Sequence, residues 1–238
     1  MADDRNWPIG TLLHRLPATA RTELLQIGML RTLPSGHVLI HQGDSSTSVW
    51  LLLDALVKVT ARVESGTEAL LAVRVSGDLV GEMAVLNGAP RSATVTTCGH
   101  GVYEHIKGPV FISFLQRYPA AALELNRITA ERLRWSNQRR LDLAGYETDV
   151  CLARVLLALA ARHGRREADG VGLNIGVPIT QAELGGLVGA KEGTVHKALR
   201  ALATQGLLKS GYRTIVITDP KGLTSFADLP PDQASVLP

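Results

Sequence analysis

The densest group of reactive side chains falls in one short run, Gly81-Glu82-Met83-Ala84-Val85-Leu86-Asn87-Gly88-Ala89-Pro90-Arg91-Ser92-Ala93-Thr94-Val95. A Gly-Glu pair stands nine residues ahead of an arginine. The Arg91 guanidinium is a planar fork of N–H donors that suits the oxygens of a phosphate. Glu82 can accept hydrogen bonds from a sugar hydroxyl. Gly81 and Ser92 can offer backbone amides at close approach. The four residues therefore suit an anionic sugar phosphate. They also fit a surface loop closed by an Arg–Glu ion pair, which requires no ligand.

A second group lies further along. In Ile179-Thr180-Gln181-Ala182-Glu183-Leu184, Thr180 can cap a helix while Glu183 reaches back, and Ile179 can staple onto Leu184. Leu184, Leu187 and Val188 share one face, and Gly189 supplies a turn. A second helix follows, with Val195, Ala198, Leu199 and Leu202 on its buried side. Gly185 and Gly189 let the two helices approach closely. This is the pattern of a helix-turn-helix that binds DNA. Leu207-Leu208-Lys209 and Thr214 to Ile217 then flank Ser210-Gly211-Tyr212-Arg213, a hairpin wing. Between Lys191 and Arg213 stand five basic residues (Lys191, Lys197, Arg200, Lys209, Arg213) against one acid, Glu192. Such cations can neutralise phosphates. An ordinary helical hairpin with solvated charges is the alternative.

The elements that must position these groups show in three textures. A short helical patch runs from about Leu12 to Leu30. From Arg31 to about Ile106, short Val-, Leu- and Thr-rich runs are cut by Gly, Asp and Ser, as expected of a roll, sandwich or barrel. Beyond Pro119 no Gly or Pro interrupts until Gly145, so one long helix is expected there. Another helix spans Thr148 to His163, and a loose tail follows Gly222.

The 238 residues suffice for two domains, and 45% hydrophobic content allows real cores. A formal net charge of +3 is compatible with a polyanionic partner. Two cysteines, Cys98 and Cys151, exclude a disulfide framework and a four-thiolate metal site. No apolar run is long enough for a bilayer, and the acidic start does not read as a signal peptide, so a cytoplasmic protein is expected. The seven histidines are scattered, and no H-E-x-x-H, P-loop or G-x-S-x-G occurs. Neither an enzyme nor a metal site is expected.

Taken together, the chain resembles the cAMP receptor protein (catabolite activator) family of bacterial regulators. The run from Gly81 resembles that family's phosphate-binding cassette. Gly36 to Asp44, Leu52-Leu53 with Val57-Lys58-Val59, and Gly77-Asp78 extend the likeness from Leu16 to about Asp219. The resemblance implies an α+β chain. Residues 10–118 would form a jelly-roll-like β-roll that binds a cyclic nucleotide, and 119–145 a dimerisation helix. Residues 146–222 would form a winged helix-turn-helix, and 223–238 a flexible tail.

It further implies that Glu82 holds a ribose 2′-hydroxyl and Arg91 the cyclic phosphate, with Gly81 and Ser92 in support. Arg132, Ser136 and Asn137 would contact the base of cAMP or cGMP. DNA would meet Gln181, Lys191, Glu192, Thr194, His196, Lys197, Arg200, Lys209 and Arg213. The implied partners are double-stranded DNA, a second copy through the long helix, and RNA polymerase. A regulator of the same fold that senses another ligand or none, and an interaction module without DNA binding, are the competing readings. A helix-pairing seam can be drawn through Leu125, Ile128, Arg132, Trp135, Arg139 and Asp142. Two departures stand out. Lys191-Glu192-Gly193-Thr194-Val195 replaces the family's usual Ser-Arg-Glu-Thr-Val, so an altered DNA target is expected. Asp54-Ala55 stands where the family has a turn glycine, so Ala55 would carry strain if that position needs a positive φ.

Overall fold

The computed structural model describes residues 6–62, 64, 66, 68–168 and 172–229. The chain divides into two compact units, one ending at Ala130 and the other starting at Glu131.

The first unit opens with helices α1 (Leu12–Arg15) and α2 (Ala18–Leu24). Strands β1 (Met29–Leu33), β2 (Val38–Ile40), β3 (Ser48–Asp54), β4 (Leu56–Arg62), β5 (Glu68–Val75) and β6 (Leu79–Val80) follow. Then come α3 (Glu82–Asn87), β7 (Thr94–Thr97), β8 (Gly101–Lys107) and α4 (Gly108–Arg117). The strands form two four-stranded antiparallel sheets, β1-β8-β3-β6 and β2-β7-β4-β5. β3 serves two cores through its alternation. Val49, Leu51 and Leu53 pack with Leu13, Leu24, Phe111 and Phe114. Leu52 turns the other way, to Ile40, Val57, Val80, Val95 and Tyr103.

Helix α5 (Pro119–Gly145) is continuous over the whole stretch that lacks Gly and Pro, and the division between the units falls inside it. The boundary expected near Gly145 therefore lies earlier. The second unit continues with α6 (Thr148–His163), β9 (Arg165–Arg166), β10 (Leu173–Asn174), α7 (Gln181–Val188) and α8 (Glu192–Thr204). β11 (Leu208–Gly211), β12 (Thr214–Ile217) and α9 (Pro220–Phe226) complete it. Its sheet runs β11-β12-β10-β9. α6 is buried at every position from Cys151 to Ala160, as befits the apolar centre of a small helical unit. The whole is an α+β chain: a β-rich N-terminal part, a long helix and a winged helix-turn-helix.

Several expectations change. The helical patch ends at Leu24, and Met29 to Leu33 pair with β8 instead. α4 fills a stretch where no element is expected; Pro109 stands in its first turn, and Phe111 and Phe114, three apart, are buried. Between α6 and α7 the chain forms the β9–β10 hairpin. The tail expected from residue 223 is helical to Phe226, because Leu223 and Ala227 are buried; residues 230–238 lie outside those described. Ala55 carries no left-handed strain, since Arg213 (54°) and Asp228 (50°) are the positive-φ non-glycine residues among those described. Its amide is held by Ser76 Oγ at 3.0 Å.

Three positions of the expected pairing seam are packed within their own chain. Leu125 and Ile128 are only 3% and 2% exposed, packed in the core of their own unit. Asp142 is buried in an ion pair with Arg154. Those positions face their own chain, so they are not open to a twin. The opposite side of α5 leaves Leu123, Leu133 and Leu141 exposed by 50%, 62% and 65%.

Candidate functional site

Arg91 is placed by chain far from it in sequence. Its amide donates to Asp44 O at 2.8 Å, and its carbonyl accepts from Gly43 N at 2.8 Å, so the loop before β3 pins the arginine backbone. The guanidinium turns inward and is buried with Glu82; the two residues are 4% and 5% exposed. Nη1 donates to Gly81 O at 2.6 Å, Nη2 to Ser48 O at 2.6 Å and Nε to Ser46 Oγ at 3.1 Å. An arginine has five N–H groups. These bonds use one on each nitrogen, which leaves one on each terminal nitrogen for a ligand oxygen.

Gly81 caps α3 in the left-handed region at φ 89°. A Cβ there would stand 2.8 Å from Arg91 Nη1, 2.8 Å from Ile40 Cδ1 and 3.0 Å from Ser48 O. Any side chain would displace the guanidinium, so glycine is required both by conformation and by space. Burial lowers the pKa of Arg91, while the negative charges of Glu82 and Asp44 act in the opposite sense. A buried cation of this kind gains from an anion beside it. His105 is half-buried, its ring centroid 4.5 Å from that of Trp50. Its pKa is lowered by burial first, then by Arg31, Lys107 and Arg91.

The structure thus gathers Gly81, Glu82 and Arg91, with Ser92 exposed beside them. Arg132 and Ser136 are half-buried and Asn137 is exposed, all three on α5 within the second unit. Sequence reasoning passes over Ser46 and Ser48, which lie 45 and 43 residues from Arg91, and no local pattern marks them.

In the second unit Thr180 Oγ1 accepts from Glu183 N at 3.2 Å and Glu183 Oε2 accepts from Thr180 N at 2.7 Å, a complete capping box. Ile179 and Leu184 are both buried. Gly189 ends α7 at φ 61°, and a Cβ on Gly185 would stand 2.4 Å from Ala190 O. These two glycines bring α8 tight against α7. Val195, Ala198, Leu199 and Leu202 are buried, while Lys191, Glu192, Thr194, His196, Lys197 and Arg200 are exposed. Gln181 is half-buried, and its Oε1 lies 3.2 Å from His196 Nδ1. Lys209 is exposed on β11, Arg213 at the wing tip, and Tyr212 beside it is 91% exposed. Lys191 stands at the N-cap without a side-chain cap bond. A surface of α8 with three cations at Lys191, Lys197 and Arg200 and one acid suits a polyanion.

Among the described residues no helix is long and apolar enough to cross a membrane, and no group of three or more His, Cys, Asp or Glu could hold a metal ion.

Comparison with known proteins gives two family matches: "Cyclic nucleotide-binding domain" over residues 30–118 and "Crp-like helix-turn-helix domain" over residues 152–226. The chain is 30% identical over 194 residues to a CRP-like cAMP-activated global transcriptional regulator of Mycobacterium tuberculosis, covering 82% of this chain and 86% of that one. It is 28% identical over 216 residues to the cyclic AMP receptor protein of Thermus thermophilus, covering 91% and 96%. Among solved structures, the c-di-GMP responsive global regulator CLP of Xanthomonas campestris superposes with a TM-score of 0.70 at 20% identity, over 84% of this chain and 99% of that one.

Proposed function

The chain belongs to the cAMP receptor protein family of DNA-binding transcription regulators with a cyclic nucleotide-binding domain, and from that premise we propose that it acts as a dimer whose DNA binding is controlled by a cyclic nucleotide, cAMP first. The observation that carries the ligand reading is the buried guanidinium of Arg91, fixed by Gly81, Ser46 and Ser48 and left with donors to spare. The nucleotide would bring a phosphate anion and a ribose hydroxyl. Arg91 would hold the phosphate, with the Gly81 and Ser92 amides in support, and Glu82 would accept from the 2′-hydroxyl. Arg132, Ser136 and Asn137 would take the base.

For DNA, Gln181, Thr194, His196, Lys197 and Arg200 would enter the groove. Lys191, Lys209 and Arg213 would neutralise phosphates, and Glu192 would oppose them. The dimer would form on the exposed side of α5. Leu123, Ala130, Leu133 and Asn137 recur there at steps of seven, three and four residues, a heptad spacing, and the exposed Leu141 lies one position past the next step of three. The polar Asn137 in that stripe would fix register. The reading places the protein in the cytoplasm with RNA polymerase as a further partner.

A second reading has one observation in its favour. Three protein acceptors already serve Arg91, which is also what a purely structural arginine would show. The sensor would then answer to another ligand or to none; the c-di-GMP responsive relative shares the fold. Calorimetric titration with cAMP and cGMP separates the two, run beside Arg91→Ala and Arg91→Lys with their folding checked by thermal melts. Binding that vanishes in Arg91→Ala and weakens in Arg91→Lys, which keeps the charge but not the fork, supports the first reading. Absence of binding in the folded wild type rejects it. A gel shift with mixed promoter DNA tests the DNA half.

A further inference from the structure

The contact between Gln181 and His196 joins the first residue of α7 to the exposed side of α8. Gln181 Oε1 lies 3.2 Å from His196 Nδ1. A carbonyl oxygen can only accept, so the ring places its N–H at Nδ1. A neutral ring then carries a lone pair on Nε2, its outer nitrogen. The Gln181 amide keeps both N–H donors of Nε2 for use elsewhere. The pair therefore offers one acceptor and one donor side by side on the exposed surface.

The surroundings suit groove reading. Gly193, His196, Lys197 and Arg200 follow at i, i+3, i+4 and i+7 and are all exposed, opposite the buried Val195, Ala198, Leu199 and Leu202. A Cβ on Gly193 would meet nothing within 4 Å, so the missing side chain leaves open space rather than a packed contact. The helix can come closer to a groove floor there. At Glu192 and Gly193 the chain lacks the arginine and glutamate that the family resemblance would place at those positions. Sequence readout must come from other side chains.

We propose that Gln181 and His196 act as one base-reading pair. His196 Nε2 accepts from an exocyclic amine in the major groove, and the Gln181 amide donates to a neighbouring acceptor. Adenine presents both partners on one base, N6–H and N7, and is the preferred target; cytosine offers the amine alone. His196 touches the base. Gln181 also acts as the positioning residue that sets the ring's tautomer. The inference rests on the DNA-binding reading above.

The test is selection from randomised duplexes by this chain with cAMP, with cGMP and with no nucleotide. The expected motif has one column per half-site that favours adenine, or cytosine after it, by about tenfold or more over guanine. That column flattens in His196→Ala, His196→Asn and Gln181→Ala while the other columns persist. It survives in His196→Gln, whose amide oxygen replaces the outer acceptor. A merely structural contact would change overall affinity and leave the column intact. A column unchanged in His196→Ala and Gln181→Ala, or one that favours guanine, overturns the proposal while leaving the DNA-binding reading standing. No enriched sequence under any of the three conditions overturns the DNA-binding reading and this inference with it.

Discussion

His105 lies against Trp50 at 4.5 Å, and its pKa is lowered by burial and by the cations Arg31, Lys107 and Arg91. The unfolded chain, with an imidazole near its ordinary value of about 6.5, takes up a proton before the folded chain does. Stability from this group is therefore full above that value and is lost as pH falls from it towards the lower folded value. Denaturation of the first unit should show a midpoint that drops as pH falls below about 6.5, with a shallower drop in His105→Gln. Tyr103 gives a second residue-scale expectation. Its hydroxyl is buried without a hydrogen-bond partner among the described residues, and burial pushes its pKa up to about 12. Tyr103→Phe removes an unsatisfied group at constant shape, so urea unfolding should show no loss and a gain of up to about 1 kcal/mol.

Helix α5 carries two faces with different work, and substitutions separate them. Leu125 sits in the core of the first unit at 3% exposure, so Leu125→Ala should cost about 2–5 kcal/mol in denaturant unfolding. Leu133 is 62% exposed on the opposite side. Leu133→Glu should leave the melt of the first unit unchanged and shift sedimentation from dimer to monomer; a dimer that persists rejects the seam proposed here. At the C-terminal end of the same helix, Arg154 Nη1 donates to Asp142 Oδ1 at 2.6 Å, Nε to Ala227 O at 2.8 Å and Nη2 to Asp228 O at 3.1 Å. Its guanidinium lies 3.8 Å over the Tyr146 ring. One buried cation thus ties the last turns of α5 to α6 and to the end of α9. Arg154→Met strands the Asp142 carboxylate and should cost the second unit about 3–5 kcal/mol, much of it recovered in the Arg154→Met, Asp142→Leu double variant. Equilibrium unfolding of the two variants checks this.

Across the whole molecule, a nucleotide that controls DNA binding must obey linkage. If saturating cAMP raises affinity for a selected duplex by some factor, that duplex must raise affinity for cAMP by the same factor. Fluorescence titrations in both directions test this, and unequal factors reject a single two-state coupling. At this scale the division between what is local and what is not becomes plain. The capping box at Thr180 and Glu183, the turn at Gly189, the buried stripe of α8 and the Gly81–Arg91 run each close within about ten residues or follow one period. Their residue types alone suffice to place them, and with them the α+β architecture and the family. The partners of Arg91 stand 43 and 45 residues away, and the carbonyls held by Arg154 stand 73 and 74 away. The inward face of α5 was equally open: Leu125 and Ile128 fit a helical seam as well as they fit a core. Periodicity ranks the faces of a helix by polarity and does not say what covers them. Only packing α5 against α4 and β3's apolar side decided which leucines are buried, because side-chain contacts between distant segments depend on how whole elements fill space.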